Sequence, residues 1–284
     1  MLGPRWRSLL YVPVTSERFV AKAHERGADA IILELEDAVA PSEKDRARGL
    51  VADAAARVGQ AGADVLVRIN RPWRLAVRDI ETSVGPDVRA LVLPKVDSAE
   101  HVLAVVEVVA SVEEERGLPD GHTQLFAKIE GPKGLLEVAA IAAAHPRVVS
   151  VGLGSSDYTI ATEMDPGGAG NAFASFHVVV AAHAAGCVPL GLVSTITDFD
   201  DLDSFRRAAE ESRALGLRGA PCVHPSQVPI LNEVFSPSAA ELERARRVVE
   251  EYERALAAGE GAITVDGEFV DVPYYEQAKR ILAG

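Results

Sequence analysis

The chain has 284 residues, of which 48% are hydrophobic and 25% are charged, and its 42 acidic and 29 basic side chains give a net charge of −13. This length is sufficient for one large domain with a substantial core. The acidic balance disfavours nucleic acid and anionic membrane surfaces as partners, and an anionic substrate would need a local group of cations or a metal ion.

Short apolar runs alternate with amphipathic segments along residues 1–236. The runs are expected as strands at 8–14, 30–36, 65–70, 90–96, 124–130, 148–154, 188–194 and 220–225. Helices are expected at 16–27, 42–59, 98–117, 132–145, 171–185, 200–215 and 226–235, with a short helix after the third strand and a glycine-rich loop after the sixth. Such alternation implies parallel strands with right-handed crossovers. Eight units predict an α/β fold of the closed (β/α)₈ barrel type, with a doubly wound open sheet as the alternative.

The pattern changes after Ser236-Pro237. Residues 237–284 contain a highly charged helix, a hairpin with Asp266-Gly267 at its turn and a final helix. We therefore predict a barrel domain at 1–236 and a C-terminal extension at 237–284. The extension either packs on the barrel or contacts a neighbouring subunit, which makes a homo-oligomer the expectation.

The cysteines and apolar segments predict a cytoplasmic protein. Cys187 and Cys222 lack metal-ligand spacing and cannot form a disulfide framework, so we expect two buried free thiols in a reducing compartment. The apolar run near the N-terminus is too short for a secretory signal. The longest apolar stretch, 176–193, is interrupted by histidine, glycine and proline, so no membrane segment is predicted.

Polar side chains follow nearly every predicted strand, at the end where barrels of this class carry their chemistry. They are Glu34, Glu36, Asp37, Arg68, Asn70, Lys95, Asp97, Lys128, Glu130, Ser155, Ser156, Asp157, Ser194, Thr195 and His224. Solvated strand ends are the simplest interpretation of any one of them. Apolar strands that repeatedly finish in charges are costly unless those charges converge, so we interpret the set as a candidate active site.

Two carboxylates on neighbouring strands, Glu130 and Asp157, suit a hard divalent cation such as Mg²⁺ (or Mn²⁺), which takes one or two protein carboxylates besides water and substrate oxygens. The guanidinium of Arg68 can bind a substrate carboxylate through parallel hydrogen bonds. A metal that polarises a ketone, together with such a group, predicts a 2-oxo acid as substrate or product. Glu36 and Asp37 are expected to hold metal-bound water or to orient Arg68.

A second cationic group lies at the start of the helix after the second strand, where Lys44, Arg46 and Arg48 alternate with other residues. Backbone N–H groups at a helix start, together with cations, bind anions. We therefore consider this group a candidate site for the phosphates of coenzyme A, with a solvated helix face as the alternative.

In chain order, these segments resemble the citrate lyase beta-subunit family of the wider HpcH/HpaI aldolase group, and the likeness covers nearly the whole chain. It is carried by RSLLYVPVTSERF, LELEDAVAPSEKDRAR, VRIN, VLPKV, KIEGPKG, GSSDYT, CVHPSQVPILNEVF and GEFVDVP. The resemblance implies a trimeric (β/α)₈ barrel with Mg²⁺ at Glu130 and Asp157 and the oxo-acid carboxylate at Arg68. It also implies that Asp271, from the tail of an adjacent subunit, enters the site.

The reaction implied by the resemblance is cleavage of citryl-, malyl- or citramalyl-coenzyme A to acetyl-coenzyme A and an oxo acid, or the reverse. Four positions depart from the family pattern. Ser156 stands where the family usually has glutamate, and Gly131 stands where it usually has threonine or serine. Glu34 takes the first position of the usual DLED, and Arg71 follows VRIN where many relatives carry a small residue. The alternatives are an aldolase acting on free hydroxy-oxo acids, a thioesterase on the same scaffold, and a non-catalytic subunit or binding paralogue.

Overall fold

The computed structural model describes residues 3–165, 169–194 and 200–283 and divides into two compact units, which meet in sequence after Phe235. In these described ranges no helix is long and apolar enough to cross a membrane. Cys187 and Cys222 are both buried free thiols, as predicted, and burial raises the pKa of Cys187 to about 11.

The first unit contains eight parallel strands. They are β1 (Ser8–Pro13), β2 (Ala30–Glu34), β3 (Asp64–Arg68), β4 (Ala90–Leu93), β5 (Gln124–Ile129), β6 (Val148–Leu153), β7 (Val188–Leu190) and β8 (Ala220–Cys222). Their order in the sheet is β7-β6-β5-β4-β3-β2-β1-β8. Backbone hydrogen bonds from Arg218 N to Pro189 O and from Gly191 N to Gly219 O, both 2.9 Å, join the two ends of this order. The predicted (β/α)₈ barrel is therefore confirmed.

Closure of the barrel depends on a glycine immediately before β8. A Cβ atom at Gly219 would lie 1.9 Å from the carbonyl oxygen of Trp6, which is closer than any non-bonded contact allows. Only glycine can bring these two backbone segments together at this point.

Ten α-helices are described in this unit, besides short 3₁₀ helices at Pro41–Glu43 and Pro225–Gln227. They are α1 (Glu17–Ala23), α2 (Lys44–Gly59), α3 (Trp73–Ser83), α4 (Ala99–Glu115), α5 (Pro132–Leu136), α6 (Val138–Ala142), α7 (Ser155–Ala161), α8 (Ala169–Ala185), α9 (Leu202–Leu215) and α10 (Val228–Val234). Apolar residues on the outer face of the strands pack with the helices, and a second cluster that includes Leu9, Ile32, Leu66 and Phe126 fills the barrel interior. Because both faces are buried, the strands are apolar along their length.

Each strand ends one to four residues before the end of the apolar run that predicted it. β4 stops at Leu93 because Pro94 cannot donate a backbone hydrogen bond and Lys95 has a left-handed conformation with φ 51°. β7 stops at Leu190, and Gly191 follows it with φ 151°, a backbone conformation that residues with a side chain rarely adopt. The chain therefore turns into the candidate site earlier than the sequence suggested.

Two helical segments also differ from expectation. The single helix predicted over 132–145 consists of α5 and α6, which are separated at Glu137 by a non-helical backbone (φ −98°, ψ 4°). Helix α7 begins directly after β6, where a glycine-rich loop was predicted, although residues 166–168 of that loop lie outside the described residues. In α7 the hydroxyl of Thr159 bonds to the carbonyl of Ser155 at 2.9 Å, and the helix is too short for a clear apolar period.

The second unit consists of helix α11 (Ala239–Ala257), an antiparallel hairpin of β9 (Ile263–Val265) and β10 (Glu268–Val270), and helix α12 (Val272–Ala283). Asp266 and Gly267 at the hairpin turn both have positive φ, 50° and 83°, as a two-residue turn between twisted strands requires. The rings of Tyr252 and Tyr275 stack at 4.9 Å between centroids. This unit therefore has a small apolar core of its own.

Candidate active site

A cavity of about 1060 Å³ opens at the carboxyl ends of the strands. Its lining residues include Tyr11, Arg18, Phe19, Lys22, Arg26, Glu34, Arg68, Lys128, Ser155, Ser156, Asp157, Ser194 and His224. The strand-end residues that the sequence singled out are thus largely brought together, although Thr195 lies outside the described residues.

Arg68 lies on the floor of this cavity, held by two carboxylates. Its Nε atom is 2.6 Å from Glu34 Oε2 and its Nη1 atom is 3.0 Å from Glu36 Oε2, and the guanidinium lies 4.9 Å above the Tyr11 ring. Burial works to lower the pKa of Arg68, but the ring oxygen and the two carboxylates raise it. The guanidinium therefore stays charged, and the two carboxylates fix its orientation before a substrate binds.

Glu36 connects Arg68 with a second cation. Its Oε1 atom lies 2.6 Å from Nζ of Lys95, whose ammonium also reaches Asp37 at 3.4 Å. Burial raises the pKa of Glu36, against the effect of Arg68 and Lys95. Glu36 is in position to orient Arg68, whereas Asp37 is more exposed and contacts Lys95.

Glu130 follows β5 and is buried. Its Oε2 atom accepts a 3.0 Å hydrogen bond from the backbone N–H of Lys95, and its Oε1 atom lies 2.6 Å from Nζ of Lys128 without hydrogen-bond geometry. A Cβ atom at Gly154 would lie 2.4 Å from Cγ of Glu130. The absence of a side chain at Gly154 thus makes room for Glu130.

Asp157, in the first turn of α7, is close enough to Glu130 for their charges to interact. Burial raises the pKa of Asp157, the negative charge of Glu130 raises it further, and the ammonium groups of Lys128 and Lys95 oppose this. A carboxylate whose ionisation is disfavoured by burial and by a neighbouring carboxylate lies at a site that a cation would stabilise.

The donor set fits a hard divalent cation. Five carboxylates (Glu34, Glu36, Asp37, Glu130 and Asp157) meet three cations (Arg68, Lys95 and Lys128) here. The ammonium of Lys44 adds a fourth positive charge that acts on Glu34, Glu36 and Asp37, so one negative charge remains uncompensated when all are ionised. Within the described ranges no group of three or more His, Cys, Asp or Glu side chains forms a complete metal cage. Mg²⁺ suits such a site because it keeps water or substrate oxygens in its coordination shell.

The predicted coenzyme A group, Lys44, Arg46 and Arg48, is divided by the structure. Nζ of Lys44 donates to the carbonyl oxygens of Leu35 and Glu36. Arg48 is 5% exposed and binds the fully buried Asp79 at 2.6 Å, while Arg46 is 61% exposed and pairs with Glu43 at 2.7 Å. Lys44 therefore holds the chain at the end of β2, and Arg48 holds α2 against α3.

A different group of cations lies at the mouth of the cavity. Arg18, Lys22 and Arg26, on and just after α1, line it together with the exposed ring of Phe19. Sequence reasoning missed them, although their four-residue spacing places them on one side of a helix and could have been noticed. Tyr11 and Gly154 gave no comparable signal, whereas Lys128 was already among the strand-end residues that the sequence singled out.

Asp271 precedes α12 in the second unit, and its Oδ1 atom is buried with no hydrogen-bond partner in the described part of the chain. His224 lines the cavity, and its Nδ1 atom lies 2.7 Å from the hydroxyl of Ser226. This contact holds the turn after β8.

The chain is similar to known proteins over almost its whole length. A profile of the HpcH/HpaI aldolase/citrate lyase family matches residues 7–225. The citrate lyase subunit beta of Escherichia coli (strain K12) is 33% identical over 282 residues, 98% of this chain and 92% of the relative. A (3S)-malyl-CoA thioesterase of Cereibacter sphaeroides (strain ATCC 17025) is 34% identical over 284 residues, 98% of this chain and 94% of the relative.

A solved structure agrees with these relatives. Protein CitE from Mycobacterium tuberculosis, in complex with magnesium, acetoacetate and coenzyme A, has a TM-score of 0.76 at 27% identity, and the match covers 97% of this chain and 96% of that one. From the family profile, the two relatives and the common barrel, we conclude that this chain belongs to the HpcH/HpaI aldolase/citrate lyase family.

Proposed function

We propose that this chain is a carbon–carbon lyase, dependent on Mg²⁺ or Mn²⁺, that cleaves a 3-hydroxyacyl-coenzyme A thioester to acetyl-coenzyme A and an oxo acid, or catalyses the reverse. The observation that carries the proposal is a pair of interacting carboxylates, Glu130 and Asp157, beside a cavity whose floor holds Arg68. The magnesium, acetoacetate and coenzyme A bound by the CitE structure support the same ligand classes.

Glu130 and Asp157 would hold the metal, which when bound polarises the oxo group of the acid and stabilises charge on its oxygen. Arg68 would bind the acid's carboxylate. Since Nε faces Glu34 and Nη1 faces Glu36, the N–H groups of Nη2 remain for the substrate. Glu36 orients this guanidinium, and Asp37 would hold water at the metal.

In the cleavage direction the hydroxyl group loses its proton to water and its carbon becomes the oxo carbon. The bond from that carbon to the acetyl carbon breaks, and its electron pair remains on the acetyl carbon. We propose that Asp271 of a neighbouring copy delivers a proton to that carbon, and removes it in the reverse reaction. This role requires a homo-oligomer, which we propose to be a trimer. The two buried free thiols fit a cytoplasmic location.

The phosphates of coenzyme A are proposed to bind Arg18, Lys22 and Arg26, because these cations line the cavity mouth. The exposed ring of Phe19 beside them offers a surface for the adenine. Of the group first predicted from the sequence, Arg46 is the member with a largely exposed side chain, so Arg46 could extend this cationic surface.

The proposal is tested by incubating the purified chain with Mg²⁺ and citryl-, malyl- or citramalyl-coenzyme A, and measuring oxo acid and free thiol separately. A lyase forms oxo acid and acetyl-coenzyme A without free thiol, and EDTA abolishes both products. Turnover retained by Glu130→Gln at the same Mg²⁺ concentration would contradict the assignment of the metal ligand.

A thioesterase is the second candidate, favoured by the 34% identity to a (3S)-malyl-CoA thioesterase. It would release free thiol from malyl-coenzyme A and leave the hydroxy acid intact. Absence of both thiol and oxo acid would point instead to an aldolase of free hydroxy-oxo acids or to a subunit that requires partners.

A further inference from the structure

Lys128 places an ammonium group against one of the proposed metal ligands. It lies on β5, two residues before Glu130, and its Nζ atom is 2.6 Å from Glu130 Oε1. The side chain of Lys128 is 9% exposed and that of Glu130 is fully buried. This is a buried ion pair inside the candidate metal site.

Glu130 is the carboxylate in direct contact with the ammonium of Lys128. Among the ion pairs of the described residues, Lys128 contacts Glu130 alone, while the Tyr11 ring lies 5.9 Å from Nζ and the positive charge of Arg68 opposes the ammonium. A buried cation that loses its partner is strongly destabilised. When Glu130 is taken by another cation, Lys128 therefore loses its contacting anion. The charges of Glu34 and Asp157 still act on it, and a further anion in contact with the ammonium would stabilise it.

The two oxygens of Glu130 are not equivalent. Oε2 accepts a hydrogen bond from the backbone N–H of Lys95, which is fixed by the chain. Oε1 has no hydrogen-bond partner among the described residues and lies 2.6 Å from the Lys128 ammonium. Oε1 is consequently the oxygen available to a metal ion. A divalent cation and an ammonium cannot both contact it, because their like charges repel at such distances.

We propose that Lys128 is an internal counter-ion that occupies Oε1 of Glu130 in the metal-free protein, yields it to the divalent cation, and then pairs with the anionic substrate in the cavity. The inference rests on the metal site of the proposed function. Lys128 lines the same cavity as Arg68, so a displaced ammonium remains beside the position proposed for the acid. Metal and oxo acid should therefore bind cooperatively, since each favours the same arrangement of Lys128.

The test is a titration of the metal-free, full-length protein with Mn²⁺, followed by electron paramagnetic resonance of the free ion or by calorimetry. Lys128→Met should bind Mn²⁺ about tenfold more tightly than the wild type, or better, which corresponds to about 1.4 kcal/mol. Lys95→Met is the matched control. It removes the same charge from the site, but the Lys95 side chain pairs with Glu36 and its backbone N–H to Glu130 is retained.

Lys128→Arg should restore the weaker wild-type affinity, and Lys128→Gln provides a polar replacement if the methionine variant unfolds. Pyruvate, used as the probe acid, should increase Mn²⁺ affinity more in the wild type than in Lys128→Met. An affinity of Lys128→Met equal to or below that of Lys95→Met would overturn the inference while leaving the metal site intact. Absence of Mn²⁺ binding in every variant, wild type included, would instead overturn the metal site and the inference with it.

Discussion

Lys95 combines an unusual backbone conformation with two contacts in the site. Its φ of 51° is disfavoured for residues with a side chain, yet this conformation directs its N–H to Glu130 while Nζ reaches Glu36. Backbone strain of this kind persists where surrounding contacts hold it in place.

Lys95→Gly should therefore be more stable than Lys95→Ala. Both variants lose the ion pair with Glu36, but only glycine adopts this backbone conformation without cost, which is worth about 1 kcal/mol. The comparison is made from the free energies of unfolding in urea. A more stable alanine variant would show that the backbone at this position is not strained.

Gly154→Ala should weaken Mn²⁺ binding strongly, because the new Cβ atom would lie 2.4 Å from Cγ of Glu130 and force its carboxylate to move. We expect a loss of at least about tenfold in affinity. Gly131→Ala is the matched control, since a Cβ atom there meets nothing within 4 Å although the residue adjoins Glu130. Equal affinities of the two variants would mean that Glu130 does not bind the metal.

The charged side chains that meet at the candidate site could largely be predicted from the sequence. Arg68, Glu36 and Asp157 interrupt or follow apolar runs, and such interruptions are visible in a sequence. The roles of Gly154 and Tyr11 were not predictable. Gly154 contributes by lacking a side chain where Glu130 needs room, and Tyr11 contacts Arg68 because the register of its strand turns the ring inward. The different contacts of Lys44, Arg46 and Arg48 were not predictable either, because no local pattern in the sequence indicates that Asp79 is buried against Arg48.

Helices α2 and α3 are joined by this buried pair. Asp79 is fully buried and binds Arg48 through Oδ1, while its Oδ2 atom accepts hydrogen bonds from the backbone and side-chain N–H groups of Asn70. Because Asn70 lies two residues after Arg68, the pair also fixes the chain that leaves β3. It is thus a structural support of the cavity floor.

Arg48→Ala should reduce the free energy of unfolding by about 3–5 kcal/mol, because it leaves the Asp79 carboxylate buried without its cation. Arg46→Ala, which removes a surface ion pair, should have no measurable effect on stability. Urea denaturation distinguishes the two. If Arg48→Ala were as stable as the wild type and had a raised KM for thioesters, Arg48 would instead be assigned to coenzyme A binding, as first predicted from the sequence.

The elements that the sequence predicted best are those with a long apolar period. Helix α4 follows the expected segment closely because its valines repeat at helical spacing. Helix α7 was missed because its seven residues carry hydroxyls and a carboxylate, and its position is fixed by contacts such as that from Ser155 Oγ to the carbonyl of Leu192, 37 residues away. Tertiary contacts of this kind leave no local pattern.

At the scale of the whole molecule, the pKa of Asp157 links metal binding to pH. Because this pKa is raised, the folded metal-free protein retains a proton at a pH where the unfolded chain has lost it, so its stability gains as pH falls through the folded value. Metal binding must displace that proton. The increase in Tm caused by Mg²⁺ should therefore shrink as pH is lowered through the raised pKa of Asp157, and an increase that stays constant at every pH would contradict this linkage.

The proposed role of Asp271 makes a prediction about the assembled protein. Glu130→Gln and Asp271→Asn chains should each be inactive alone, but hybrid oligomers from co-expression should regain activity. In random equal mixing about a quarter of the sites combine an intact Glu130 with an intact neighbouring Asp271. Activity in the hybrids is measured as oxo-acid formation, and its absence would place Asp271 outside a shared site.

Closure of the barrel through Gly219 also has a consequence for folding on the ribosome. β1 pairs with β2 along one edge and with β8, which lies far away in the sequence, along the other. The edge of β1 that pairs with β8 therefore remains uncovered until nearly all of the barrel has been synthesised. Such distant pairings slow folding and expose an open strand edge during synthesis. A side chain at position 219 would prolong this exposed stage, and the yield of soluble protein would fall through aggregation of nascent chains.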